Sequence, residues 1–151
     1  MPTVHFLNVG NGDCSVIQHG SGRVTMIDIC GGNMPPPRVP TGPFGRITEN
    51  MLKSAAKGGG GDYRMRDYPT NPVMHCKNSG IQNIFRFILT HPDMDHMDGL
   101  KALHDCVSIG NFWDCGVRRD KPAFDGGPYQ EADWDHHVKL RDKKHQPYVP
   151  T

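Results

Sequence analysis

Ile84-Phe85-Arg86-Phe87-Ile88-Leu89-Thr90-His91-Pro92-Asp93-Met94-Asp95-His96-Met97-Asp98-Gly99 decides how this chain is read. The apolar run, broken by Arg86, has the length and composition of a strand buried on both faces of a sheet. Two histidines and three aspartates then follow within eight positions. Ligand-type side chains on a short loop after a buried strand are held by a rigid scaffold, and hydrolytic metal sites are commonly built there. In an extended loop His91, Asp93 and Asp95 point to one side because side chains alternate, and His96 follows where the backbone turns into a helix. Imidazole with carboxylate suits Zn²⁺, Mn²⁺ or iron, and the donors are too many for one closed tetrahedron. Two divalent ions are the expected use, one on His91 and Asp93 and the other on Asp95 and His96.

Two plainer readings compete. Asp93, Asp95 and Asp98 stand at a helix N-terminus, where acids are favoured by capping and by the helix dipole. That explains the aspartates and leaves the histidines without a reason. A calcium loop fails on spacing: Met97 takes a ligand position, the glycine is displaced by one, and the closing glutamate falls on His104.

Working outward, Thr3 to Val9, Cys14 to Gln18 and Arg23 to Ile29 read as three short strands. Gly10-Asn11-Gly12-Asp13 and His19-Gly20-Ser21-Gly22 turn between them, which predicts an antiparallel meander. Asp28, just before Cys30-Gly31-Gly32, is either a polar group aimed at a site or a turn cap. Residues 33–80 are rich in glycine and proline and read as a long inserted loop, with a short helix over Ile47 to Lys57 capped by Thr48. Its Arg38, Arg46, Lys53, Lys57, Arg64 and Arg66 are either solvated or face an anionic substrate. Beyond the cluster, Gly99 to Cys106 reads as a helix and Phe112-Trp113 as a short strand. Tyr129 to Lys144 reads as an amphipathic helix with Trp134 and Val138 turned inward.

The chain has 151 residues, enough for one domain with a real core. Lys plus Arg is 17 against 16 for Asp plus Glu, so the overall charge gives no support for a nucleic-acid binder. No run is apolar for the length of a membrane span, and the N-terminus lacks a basic stretch leading into an apolar core. The five cysteines are odd in number and scattered, which argues against a disulfide framework and for a cytoplasmic protein.

Three stretches together resemble a known family. Thr90 to Leu100 (T-H-P-D-M-D-H-M-D-G-L) is similar to the H-x-[HD]-x-D-H signature of the metallo-β-lactamase-fold hydrolases. Phe6 to Ile17 (F-L-N-V-G-N-G-D-C-S-V-I) looks like the F-L-D-V-G-Q-G-D-A motif of the ComEC-like branch, and Ile27 to Gly32 matches the I-D-x-G element that follows it. The resemblance covers residues 3–32 and 80–115. It implies an α/β fold with a mixed sheet in an αββα sandwich, a metal-bound hydroxide as nucleophile, and phosphodiester substrates such as nucleic acids or nucleotides. It implies that His91, Asp93, Asp95 and His96 are ligands of two divalent ions, Zn or Mn. Asp95 would also orient the nucleophilic water, with Asp13 and Asp28 as support.

The departures carry expectations of their own. Asp93 stands where many relatives have His, which shifts preference toward harder ions such as Mn²⁺. Asn8 replaces an Asp. Neither a T-G-D-like nor an H-G-S-like motif is present, so the resemblance implies the N-terminal half of the fold. His104, His136, His137 and His145 are then candidate substitute ligands. A half-sandwich leaves one sheet face uncovered, which predicts a homodimer or a complementing chain. Ester, lactone or thioester hydrolysis, and a non-catalytic binding or regulatory domain, are the alternatives to a phosphodiesterase.

Overall fold

The computed structural model describes residues 1–35 and 69–142. The helix expected over 47–57, the cationic residues at 38–66 and His145 lie outside the described residues. In chain order the elements are β1 (Thr3–Phe6), β2 (Ser15–Gln18), β3 (Val24–Ile27), α1 (Pro72–Asn78), β4 (Asn83–Ile84) and β5 (Arg86–Leu89). A 3₁₀ turn (Met94–His96), α2 (Leu100–Cys106), β6 (Ser108–Ile109), β7 (Phe112–Asp114) and α3 (Glu131–Arg141) follow.

The first three strands form the expected antiparallel meander, and β5 and β7 add in parallel to give the order β1-β2-β3-β5-β7. The molecule is thus a mixed α/β fold on a five-stranded mixed sheet. A bend at Phe85 splits the expected single strand, and β4 leaves the main sheet to pair in parallel with β6.

Register fixes the two faces of the sheet. His5, Val16, Met26, Phe87 and Phe112 align across it, and Val16, Met26 and Phe87 are wholly buried. The helices cover this side: His75 of α1 meets His5 edge-on, and His137 of α3 lies against Phe112. The other face carries Val4, Phe6, Ile17, Ile27, Ile88 and Trp113, of which Val4, Phe6 and Trp113 are exposed. Here the expectation of a strand buried on both sides is corrected. Phe87 and Leu89 of β5 are buried while Arg86 and Ile88 are half-buried, because the helices pack on one face. Arg86 lays its guanidinium 3.9 Å over the Trp113 ring, covering apolar surface with its planar head.

The reading of 33–80 as one loop missed α1. Asn71 accepts from the amides of Val73 and Met74, and Pro72 occupies the first turn, which is an ordinary helix start. The Asn71 amide also donates to the carbonyls of Gly32 and Met34, tying α1 to the chain after β3. α3 is shorter than expected, with Trp134 buried and Val138 packed against the core. Among the described residues no helix is long and apolar enough to cross a membrane.

Candidate metal centre

β3 ends at Ile27, and Asp28 then adopts a left-handed φ of 54°, the one non-glycine residue among those described to do so. Such a conformation costs about 1–2 kcal/mol for an L-residue and persists when its surroundings enforce it. Here the backbone amide of Asp28 still donates to Ile88 O, while the side chain swings to the end of β5. Its Oδ1 accepts from the Thr90 amide at 2.8 Å, and its Oδ2 from the Thr90 hydroxyl at 2.6 Å and from His96 Nδ1 at 2.9 Å. Asp28 is 2% exposed, so this is an aimed polar group and not a turn cap.

These bonds fix the protons. A carboxylate only accepts, so Thr90 O–H and His96 Nδ1–H are donors. The Thr90 oxygen, its proton used, accepts from His91 Nδ1 at 3.2 Å. In a neutral ring with its proton on Nδ1, Nε2 carries the lone pair. His91 Nε2 lies 3.5 Å from Asp93 Oδ2, and His96 Nε2 lies 3.7 Å from Asp95 Oδ2. The two rings are neighbours, with centroids 3.7 Å apart. Each pair sets an imidazole nitrogen beside a carboxylate oxygen, an arrangement that a proton on the ring or a bound cation would bridge. Bonds of about 2.1 Å at a tetrahedral angle span roughly 3.4 Å between donor atoms, close to both separations. Each pair offers one nitrogen and one oxygen to such an ion. Among the described residues no three His, Cys, Asp or Glu side chains converge on one point, so the donors stand as two pairs.

The path of the loop differs from the expected extended one. Asp93 is extended (φ −93°, ψ 147°), but Met94–His96 is a 3₁₀ turn, so alternation does not set the directions of Asp95 and His96. The turn is held by the segment after β3: Ile29 N donates to His96 O, and Ile29 bridges to Met97. Burial of Met94 and Met97 anchors it from below. Backbone crowding leaves no room for side chains here. A Cβ on Gly12 would lie 2.2 Å from Asp95 O, and one on Gly99 would lie 2.3 Å from Gly32 Cα.

The aspartates do not cap α2. Its N-cap is Gly99, which has no side chain to offer, and Asp133 of α3 supplies the cap from across the fold. Asp133 accepts from the amides of Gly99 at 3.0 Å and Lys101 at 2.7 Å. Asn33 donates to both Asp133 and Asp98, and Asp98 also accepts from Gly31 N. Burial pushes the Asp98 carboxyl up, Asp133 adds to the rise, and the Asn33 and Gly31 bonds offset part of it. This clamp joins the segment after β3, the loop that follows β5, and α3.

Three further groups border the loop. Arg119 Nε lies 3.0 Å from Asp93 Oδ1. The Tyr129 phenol is pushed up by burial and then by Asp95, Cys30 and Asp98. Cys30 donates to Asn11 O, and its thiol is pushed up to about 11 by burial and then by Asp98 and Asp95, so it is a poor nucleophile. Asp13 is exposed in the β1–β2 loop, and its charge is also felt at Cys30. Of the candidate substitute ligands, His137 is bonded through Nε2 to Asp114 at 2.9 Å, and His104 and His136 face each other at 2.8 Å.

The roles of Thr90, Asn33, Asp133, Arg119 and Tyr129 were not read from the sequence. The chain matches no protein-family model, no curated protein and no solved structure.

Proposed function

We propose that this chain is a metal-dependent hydrolase of the metallo-β-lactamase type, cleaving phosphodiester bonds in nucleic acids or nucleotides. The observation that carries the reading is the Asp28–His96 bond, which fixes the ring tautomer and leaves Nε2 facing Asp95. A buried carboxylate behind an imidazole is the usual support of a histidine ligand. His91 with Asp93 and Asp95 with His96 would hold two divalent ions, Mn²⁺ or Zn²⁺, which when bound supply Lewis acidity and an acidified water. The chain's own residues do the rest. Asp28 and Thr90 orient both rings, Asp95 accepts a hydrogen bond from the attacking water and so directs it, and the Asp133–Asn33–Asp98 clamp holds the loop still.

A second reading, a non-catalytic binding domain, is favoured by one observation: the donors form pairs and no cage of three among the described residues. The two readings separate on turnover of bis(p-nitrophenyl) phosphate with and without Mn²⁺, for the wild type and Asp95→Ala. Mn²⁺-dependent hydrolysis lost in Asp95→Ala supports the enzyme; metal binding without turnover supports the binding domain. Faster turnover of p-nitrophenyl acetate than of the diester would move the substrate to carboxylic esters.

A further inference from the structure

Three cations follow β7 in the loop that leads to α3, and their partners differ. Arg118 pairs with Asp142 at 3.1 Å, and Lys121 pairs with Glu131 and Asp135, so both tie the loop to α3. Arg119 between them turns the other way, with Nε 3.0 Å from Asp93 Oδ1. The second oxygen of the same carboxylate faces His91 Nε2 at 3.5 Å. Asp93 is the position that brings an extra negative charge to the loop, and here that charge comes with its own cation.

The pair is open to water, with Arg119 56% and Asp93 38% exposed. Exposed ion pairs are weak and exchange partners readily. A guanidinium has five N–H donors in a planar fork that matches phosphate oxygens, and the contact with Asp93 is made through Nε.

We propose that Arg119 is the anion-binding residue of this site: it neutralises Asp93 while the loop holds no cation, and it holds a phosphodiester oxyanion once a divalent ion engages Asp93. The assignment rests on the metallohydrolase reading and names how that site recognises its substrate. It has an unusual signature. Arg119 opposes the metal and assists the anion, so removing it moves the two affinities in opposite directions.

The test is calorimetric titration of Mn²⁺ into the metal-free full chain, then of inorganic phosphate into the Mn²⁺-loaded chain, for wild type, Arg119→Ala and Arg119→Lys. Arg119→Ala binds Mn²⁺ about threefold to tenfold tighter, the order of effect of one nearby charge in a water-screened site. It binds phosphate on the order of tenfold more weakly, through loss of a charge-assisted fork. Arg119→Lys keeps the Mn²⁺ affinity of the wild type and falls between the other two for phosphate. A purely structural Arg119 would weaken both ligands in the alanine variant. If the wild type binds Mn²⁺ but Arg119→Ala binds it no tighter, or binds phosphate as well as before, the Arg119 assignment is overturned and the metallohydrolase reading stands. A wild type that binds no Mn²⁺ overturns both.

Discussion

Asp28 Oδ2 sits 2.9 Å from His96 Nδ1, with both side chains almost fully enclosed. One carboxylate thereby holds the His96 ring directly and the His91 ring through the Thr90 hydroxyl. Asp28→Ala leaves the Thr90 amide, the Thr90 hydroxyl and His96 Nδ1 without their acceptor. The expected loss is about 2–4 kcal/mol of stability, together with a roughly 10–100-fold loss of metal affinity. Asp28→Asn tolerates the left-handed backbone and keeps one oxygen, so its stability loss is smaller. Urea unfolding and Mn²⁺ titration of the two variants check the order.

Asp133 caps a helix that is not its own. Asp133→Ala strands the Gly99 and Lys101 amides and one donor of Asn33, at an expected cost of about 2–3 kcal/mol. Amide hydrogen exchange at Gly99 and Lys101 should quicken more than exchange in β2. Uniform quickening would mean that Asp133 contributes only to global stability.

Gly12 tests the crowding directly. It has a φ of +92°, and a Cβ there would sit 2.2 Å from the Asp95 carbonyl. Gly12→Ala is expected to cost about 2 kcal/mol or more, from overpacking plus backbone strain. Gly127 has open space around it, so Gly127→Ala should stay within about 0.5 kcal/mol of wild type. Thermal unfolding of the two variants side by side decides it; equal midpoints would contradict the close approach.

Acid should weaken the fold through the buried His137 and the half-buried His75. Burial lowers the pKa of His137 below its ordinary 6.5, against the opposing pull of Asp114. His75 is lowered too, by burial and then by His5. Below pH 6.5 the unfolded chain takes up protons at these positions before the folded one does. Stability is therefore complete above that pH and falls as pH drops from 6.5 toward the folded pKa values. His137→Gln, which keeps a side-chain N–H donor, should flatten the slope of unfolding free energy between pH 5 and 7, windows set by the ordinary histidine value. An unchanged slope would remove His137 from the explanation.

The strand meander, β5 and α2 were legible because their signals are local: glycine turns and apolar runs close in sequence. Asp28 was legible as a polar group before glycines, although its partners were not. What sequence could not supply is contact between distant segments. Asn33 and Asp133 are 100 positions apart, and nothing in either neighbourhood announces the other. Arg119 stands in sequence between two other cations, and only the anchoring of Arg118 and Lys121 to α3 sets it apart. The α1 helix carried a readable start in Asn71-Pro72, and was lost because glycine and proline dominate the residues before it. The 3₁₀ turn at Met94–His96 had no sequence signal separating it from extended chain. Its cause is the pairing of Ile29 with the loop.

The most direct measurement is calorimetric titration of Mn²⁺ into the metal-free chain, with Asp95→Ala beside the wild type. The expected result is saturable binding of about two ions per wild-type chain, the number a paired-donor site holds, reduced or abolished in the variant. A wild type that takes up no Mn²⁺ or Zn²⁺, or a variant that binds as the wild type does, would contradict a metal centre at His91–His96.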